Sequence, residues 1–392
     1  MDSAAESPPI ALPVALQPRT GAVPGWILLV VTATTLVAIG LSWDISWHMT
    51  IGRDTFWTPA HIAIYLGGAG GGLACGWMAI RTTYLAGPAE RAGSVYIWGG
   101  YAPFGAWISI WGALAMLTSA PFDNWWHNAY GLDVKILSPP HVVLFLGVLA
   151  LRFGAWLLVL REQNRNPAAG LAAWLFCYVG GLCIAAVSGL FLVESWPNRQ
   201  HSSQYFLLSS IIFPLLLATI AHASKLRWGT TIAAATYMLH VAGMLWILPL
   251  FPAEPKLGPI YNHVTHMVPP PFPQWVILPA LAIDLLKARF AFGQSWRRDL
   301  AFAAMIALVF ICLFLPAQWF FSRFCLTPAA NNWFFAGDRN WGYYTMLTDY
   351  RFTFFMNEAG WSSRSVASAL TAATATAFIG LRFGHWMTKV KR

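Results

Sequence analysis

Charge is what this chain has least of. Asp, Glu, Lys and Arg make up 10% of its 392 residues, against roughly 25% in an ordinary soluble domain. With 57% hydrophobic residues, that scarcity excludes a soluble globular protein, and the composition excludes disorder, collagen and coiled coil as well. Paired cysteine is also missing. Cys75, Cys177, Cys183, Cys312 and Cys325 are an odd set without a C-x-x-C pair, so neither a disulfide framework nor a thiolate metal site is expected. Residues 1–24 are Pro-rich and weakly charged. They lack the charged and apolar regions of a cleavable signal and read as a flexible tail. The net charge of +9 forms no basic stripe, because its Lys and Arg are scattered between apolar runs. Membrane topology accounts for that charge better than a polyanion would, and no nucleic-acid partner is expected.

Apolar and aromatic surface is abundant instead, with 26 Phe, 22 Trp and 12 Tyr. A spanning helix needs about 20 apolar residues. About ten runs qualify by that measure: 25–47, 60–82, 97–119, 140–161, 170–194, 204–223, 230–251, 273–289, 300–321 and 365–386. The expected fold is an all-α, polytopic integral membrane bundle. Counting cations on alternate sides orients it. One side holds Arg19, Arg81, Arg91, Arg161, Arg165, Lys225, Arg227, the cations from Lys287 to Arg298, and those from Arg382 to Arg392. The other holds only Arg53, Lys135, Arg199 and Lys256 in short loops, plus Arg323, Arg339, Arg351 and Arg364 in the long loop 322–364. The bias puts both termini in the cytoplasm, as for a protein of a bacterial inner membrane. Seven of the ten histidines, His48, His61, His127, His141, His201, His263 and His266, then fall at or near the outer ends of helices. Histidine and carboxylate converging on one membrane face signal a functional site.

A duplicated constellation carries the chemistry. Trp43-Asp44-Ile45-Ser46-Trp47-His48 ends the first run, Gly52-Arg53-Asp54 follows, and Thr58-Pro59-Ala60-His61 opens the second. About eighty residues later come Asp123-Asn124-Trp125-Trp126-His127, Gly131-Leu132-Asp133 and Ser138-Pro139-Pro140-His141. Both copies read Asp-x-x-Trp-His-x-x-x-Gly-x-Asp, then Ser or Thr, Pro and His. Only the last interval differs, by one residue. Asp44 and His48, like Asp123 and His127, are four apart and share a helix face. The preceding Pro starts the next helix near His61 and His141. Each hairpin can thus offer one carboxylate and two imidazoles, a set that binds catalytic divalent metals. Asp54 and Asp133 are candidates to orient an imidazole or to pair with Arg53. The plainer reading, polar caps beside belt tryptophans, fits one copy as well as metal binding does, but two copies with matched spacing favour metal. Residues 25–162 form the expected four-helix metal-binding unit, and 163–392 supply further helices.

The stretch from Trp47 to His61, containing Arg53-Asp54-Thr55 and Thr58-Pro59-Ala60-His61 after Asp44-x-x-x-His48, resembles one of the membrane-embedded, metal-binding polypeptides of the copper membrane monooxygenases, the family of particulate methane and ammonia monooxygenases. The resemblance implies copper held by Asp44, His48 and His61. The family's second copper site, an Asn four residues before one His with another His fourteen residues after it, maps onto Asp123, His127 and His141. Asp123 replaces the Asn and adds a negative charge. The resemblance covers about residues 25–160, and no cupredoxin-like soluble domain is present. It implies an oxidoreductase that activates dioxygen to hydroxylate a small apolar substrate, with a quinol or other electron donor, an oligomer and other monooxygenase-like subunits as partners. Iron or zinc remains an alternative occupant. A metal-binding transporter, or a non-catalytic member of a larger complex, remains the alternative function.

Other polar residues have weaker claims. Glu194 and His201 form either a third cluster or a capped loop. His263 and His266, before Met267-Val268-Pro269-Pro270-Pro271, belong either to a rigid lid or to a structural loop. Asp284, inside an apolar run, is expected to pair with Lys287 or Arg289. Gly67-Gly68-Ala69-Gly70-Gly71-Gly72 signals close helix packing. His222, His240 and His385 read as interior or interfacial residues. The loop 322–364 either covers the site or meets a partner.

Overall fold

The structure is a computed structural model, and it describes residues 23–52, 55–131, 138–166, 170–189, 194–290, 295–346 and 361–392. The first two long helices, α1 (Gly25–Thr50) and α2 (Pro59–Ile80), form a hairpin; a π-helical turn, Arg81–Leu85, extends α2. A short α3 (Pro88–Ala92) and the antiparallel strands β1 (Val95–Ile97) and β2 (Gly100–Ala102) lead to a second hairpin, α4 (Phe104–Tyr130) and α5 (Pro139–Arg165). Then come α6 (Gly170–Ser188), α7 (Ser203–Ala223), α8 (Gly229–Ile247), α9 (Ile277–Arg289), α10 (Trp296–Phe324) and α11 (Ser363–Met387). Among the described residues, nine helices are long and apolar enough to cross a bilayer. The protein is an all-α polytopic membrane bundle.

Two runs differ from the sequence expectation, for identifiable reasons. The run 97–119 starts late, because residues 95–102 form a hairpin whose turn residues Trp98 and Gly99 have φ of 48° and 83°. Such two-residue turns need positive φ at both positions. The run 273–289 yields only the 13 residues of α9, too few to span. Pro269, Pro270, Pro271 and Pro273 lack backbone N–H groups and hold the preceding chain extended. That stretch is nevertheless buried at Met267, Val268, Gln274 and Val276. The Ser46 hydroxyl donates to the Val268 carbonyl (2.6 Å), Val268 N–H donates to Thr50 Oγ1 (2.7 Å) and Trp275 N–H to Gln318 Oε1 (3.0 Å). Irregular backbone at membrane depth is tolerable where protein satisfies it in this way. At the far end of α9, Lys287 donates to the Ser224 carbonyl beyond α7 (2.9 Å). Extended segment plus short helix therefore complete a tenth crossing. It brings the end of α11 beside that of α5, where Asn164 donates to the Met387 and Val390 carbonyls (2.9 and 2.8 Å).

Glycine sets how closely the hairpins pack. A Cβ on Gly105 would lie 2.4 Å from the Gly154 carbonyl oxygen, and one on Gly112 would lie 2.7 Å from that of Gly147. The α4–α5 crossing thus depends on glycine facing glycine. Within the glycine run of α2, Gly67 backs onto the Ala33 carbonyl of α1, as the composition of that run implies. Asp284 is buried, but it does more than balance a cation. Its oxygens accept from Thr230 N–H (3.3 Å), Thr231 N–H (2.8 Å) and the Thr231 hydroxyl (2.8 Å), so it caps the start of α8 from a neighbouring helix.

Candidate metal centre

The repeated glycine explains how each carboxylate and its first histidine reach the end of a helix. Gly52 (φ 78°) and Gly131 (φ 86°) adopt the left-handed backbone that stops α1 and α4. This leaves Asp44 and His48 on the last turns of α1, and Asp123 and His127 on those of α4. The chain returns through Thr58-Pro59 and Ser138-Pro139, with Pro first in each new helix. The second histidine therefore arrives at the same depth as the first.

In the first hairpin, Asp44 Oδ1 lies 3.1 Å from His61 Nε2, and Oδ2 lies 3.8 Å from His48 Nε2. In the second, Asp123 Oδ2 lies 3.2 Å from His127 Nε2, and Oδ1 lies 3.5 Å from His141 Nε2. All six side chains converge as the spacing implies. Among the described residues, Asp123, His127 and His141 are the group whose three ligand atoms lie within 4.8 Å of one another. The first set is more open. The two are neighbours, since His141 acts electrostatically on Asp44 from the other hairpin.

The first set also shows how a ligand is aimed. Thr58 Oγ1 accepts the backbone N–H of His61 (3.2 Å) and caps α2. His61 Nδ1 lies 3.0 Å from the Thr55 carbonyl. A carbonyl only accepts, so Nδ1 carries the hydrogen and Nε2 of the neutral ring presents a lone pair to Asp44. Two acceptors 3.1 Å apart repel unless a cation lies between them. In the second set, Asp123 Oδ1 and His141 Nδ1 are buried with no hydrogen-bond partner among the described residues. Carboxylates and imidazoles whose acceptor atoms face one another fit a divalent metal. The side chains suit copper, iron or zinc alike.

Thr55 and Thr58 carry no ligand signal of their own in the sequence, although both lie in the stretch that bears the family resemblance. No motif announces the cavity of about 560 Å3 beside α1; Trp43, Trp47, Ile51, Phe251 and Met267 line it, with Glu254 and Lys256. Tyr343, in the described part of the loop 322–364, donates its N–H to the Met49 carbonyl (3.0 Å) and rests on Gly52. That loop covers the end of α1.

Asp54 and Asp133 lie outside the described residues. Glu194 pairs with Arg199 (3.1 Å). His201 is buried with its ring 5.9 Å from that of Trp319, and burial pushes its imidazole down to about 4. His263 is exposed. His266 is exposed too, bridged to Pro252 with Nδ1 3.0 Å from Thr265 Oγ1. Among the described residues, these four do not come together as a third metal-binding cluster. No family model, curated protein or solved structure matches the chain.

Proposed function

We propose that this chain is a metal-dependent membrane oxidoreductase of the oxygenase class, with copper held by Asp44, His48 and His61 and by Asp123, His127 and His141. The observation that carries the reading is the lone pair of His61 Nε2 aimed at the Asp44 carboxylate 3.1 Å away, repeated in kind around Asp123. Bound copper would supply the one-electron redox chemistry that dioxygen reduction needs. In the overall reaction one oxygen atom enters a substrate C–H bond and the other leaves as water. Two electrons and two protons come from a quinol-class reductant.

The residues of the chain have separable tasks. Thr55 and Thr58 fix the ring of His61, and the Asp carboxylates offset the positive charge of the metal. The aromatic cavity beside Trp43 and Trp47 offers an apolar substrate a place next to the first set. The family resemblance and an external face for the sites belong to the same reading. The test is metal content and electron paramagnetic resonance on protein purified in native lipid, comparing wild type with His48→Ala and His127→Ala. Nitrogen-ligated Cu(II) lost site by site, with oxygen consumption on a quinol and short alkanes, is the expected result. Zinc alone, or metal uptake into sealed vesicles without oxygen consumption, overturns it.

A further inference from the structure

The end of the bundle opposite the ligand sets gathers cations at one corner. Lys287 Nζ donates to the Ser224 and Leu226 carbonyls (2.9 and 3.4 Å), which seats the loop carrying Lys225 and Arg227 against the last turn of α9 and its Arg289. The Phe290 and Phe302 rings, 5.6 Å apart, bring in the start of α10 with Arg297 and Arg298. All five of these cations are exposed. The nearby carboxylates are buried and engaged elsewhere, Asp284 in capping α8 and Asp299 with Arg382 (3.1 Å). The positive charge at this corner is therefore not neutralised locally.

Two of the cations are also fixed at a particular height. The Arg227 guanidinium lies 5.0 Å from the centre of the Trp228 ring, and that of Arg297 lies 5.5 Å from Trp296. Trp296 and Phe290 are exposed. Exposed Trp at a helix end sits at the headgroup level of a bilayer, so each guanidinium is held where lipid phosphates lie. α9 is too short to fill its crossing alone, and its terminal Arg289 ends at the same corner.

We propose that the α8–α9–α10 corner is a binding site for an anionic phospholipid, its phosphate held by Arg227, Arg289, Arg297 and Arg298 and its acyl chains lying along Phe290 and Trp296. A free phosphate would engage the arginines but leave the aromatic flank unused. The inference is independent of what occupies the ligand sets.

The test is native mass spectrometry of the full chain released from bilayers of equal phosphatidylcholine and phosphatidylglycerol, with retained lipids counted. The variant Arg227→Gln/Arg289→Gln/Arg297→Gln/Arg298→Gln is compared with a charge control at the chain end, Lys389→Gln/Lys391→Gln/Arg392→Gln. Wild type and control should retain phosphatidylglycerol preferentially. The corner variant should lose at least about tenfold of that preference, since each surface cation contributes about fivefold. Equal loss in both variants overturns the proposal in favour of diffuse charge, and no loss in the corner variant overturns it outright. Displacement of retained lipid by millimolar inorganic phosphate overturns the lipid assignment. The conservative variant with Lys at the four positions should restore retention, which separates charge from misfolding.

Discussion

His61 Nε2 faces Asp44 Oδ1 at 3.1 Å while the opposite ring nitrogen of His61 lies 3.0 Å from the Thr55 carbonyl. The second contact determines what the first can be. With Nδ1 committed as a donor, nothing on the ring is left to donate to the carboxylate, and the gap between them calls for a cation. Asp44→Asn removes the charge that attracts a metal and supplies an amide that can donate to Nε2 itself. Metal affinity of the first set should fall by at least about tenfold to a hundredfold, while the second set keeps its metal. Competition titration with a chromophoric chelator measures both; unchanged affinity at the first set would remove Asp44 from the ligands.

Gly52 and Gly131 occupy equivalent places in the repeat, yet they should not tolerate alanine equally. Positive φ costs a residue with Cβ about 1–2 kcal/mol at either position. Around Gly131 nothing lies within 4 Å of an added Cβ, whereas at Gly52 it would sit 2.3 Å from the Tyr343 hydroxyl. Tyr343 cannot easily withdraw, because its backbone is bonded to Met49. Gly52→Ala should therefore lower the thermal unfolding temperature more than Gly131→Ala, and Tyr343→Phe in the Gly52→Ala background should recover part of the gap. Equal losses would mean that the loop does not press on α1.

How much of this is legible in the sequence depends on the distance between cause and effect along the chain. The ligand sets are legible because spacing alone decides them: Asp44 and His48 are one helical turn apart, and Pro59 starts the helix that returns His61. The shortness of α9 is invisible to hydropathy, although the prolines before it contain the reason. The capping role of Asp284 is hidden because its neighbour Lys287 is visible in sequence and the start of α8, fifty residues earlier, is not. His201 reads as a cluster candidate from its position at a membrane face. Its burial against Trp319 arises from α10, over a hundred residues away in the chain, and has no local signal.

Burial of His201 has a consequence for pH. Its imidazole is pushed down to about 4, below the ordinary value near 6.5, so between those values the unfolded chain binds a proton that the folded one refuses. The stability contribution is complete above pH 6.5 and is lost as pH falls toward 4, by on the order of 3 kcal/mol. His201→Phe should flatten this part of the stability profile. Unfolding temperatures of wild type and variant at pH 7 and pH 4.5 provide the comparison; parallel losses would show that His201 is not the group responsible.

Arg152 lies near the midpoint of α5, 2% exposed, with Nε and Nη1 lacking acceptors among the described residues. A guanidinium buried in this way costs several kcal/mol. Arg152→Met keeps the volume of the side chain and removes the charge, so it should leave thermal stability unchanged or raise it, by on the order of 1–4 kcal/mol. A clear loss in a detergent unfolding scan would mean that the protein holds an acceptor against Arg152, such as a bound anion.

Asp123 is the point at which this chain departs from the family it resembles, and the departure can be reversed. Its two oxygens face His127 and His141 at 3.2 and 3.5 Å, so the carboxylate offers an acceptor to each ring. Asp123→Asn replaces one acceptor with a donor and makes the set neutral. Two effects of opposite sign follow. Metal binding at the second set should weaken by about tenfold or more. The metal-free protein should gain slightly in thermal stability, because an amide N–H can bond an imidazole nitrogen that a carboxylate oxygen repels. Only a set built around a cation predicts that inversion. A carboxylate serving as a plain hydrogen-bonding cap would lose stability on amidation and show no change in metal affinity, so measuring both quantities on one variant separates the two roles.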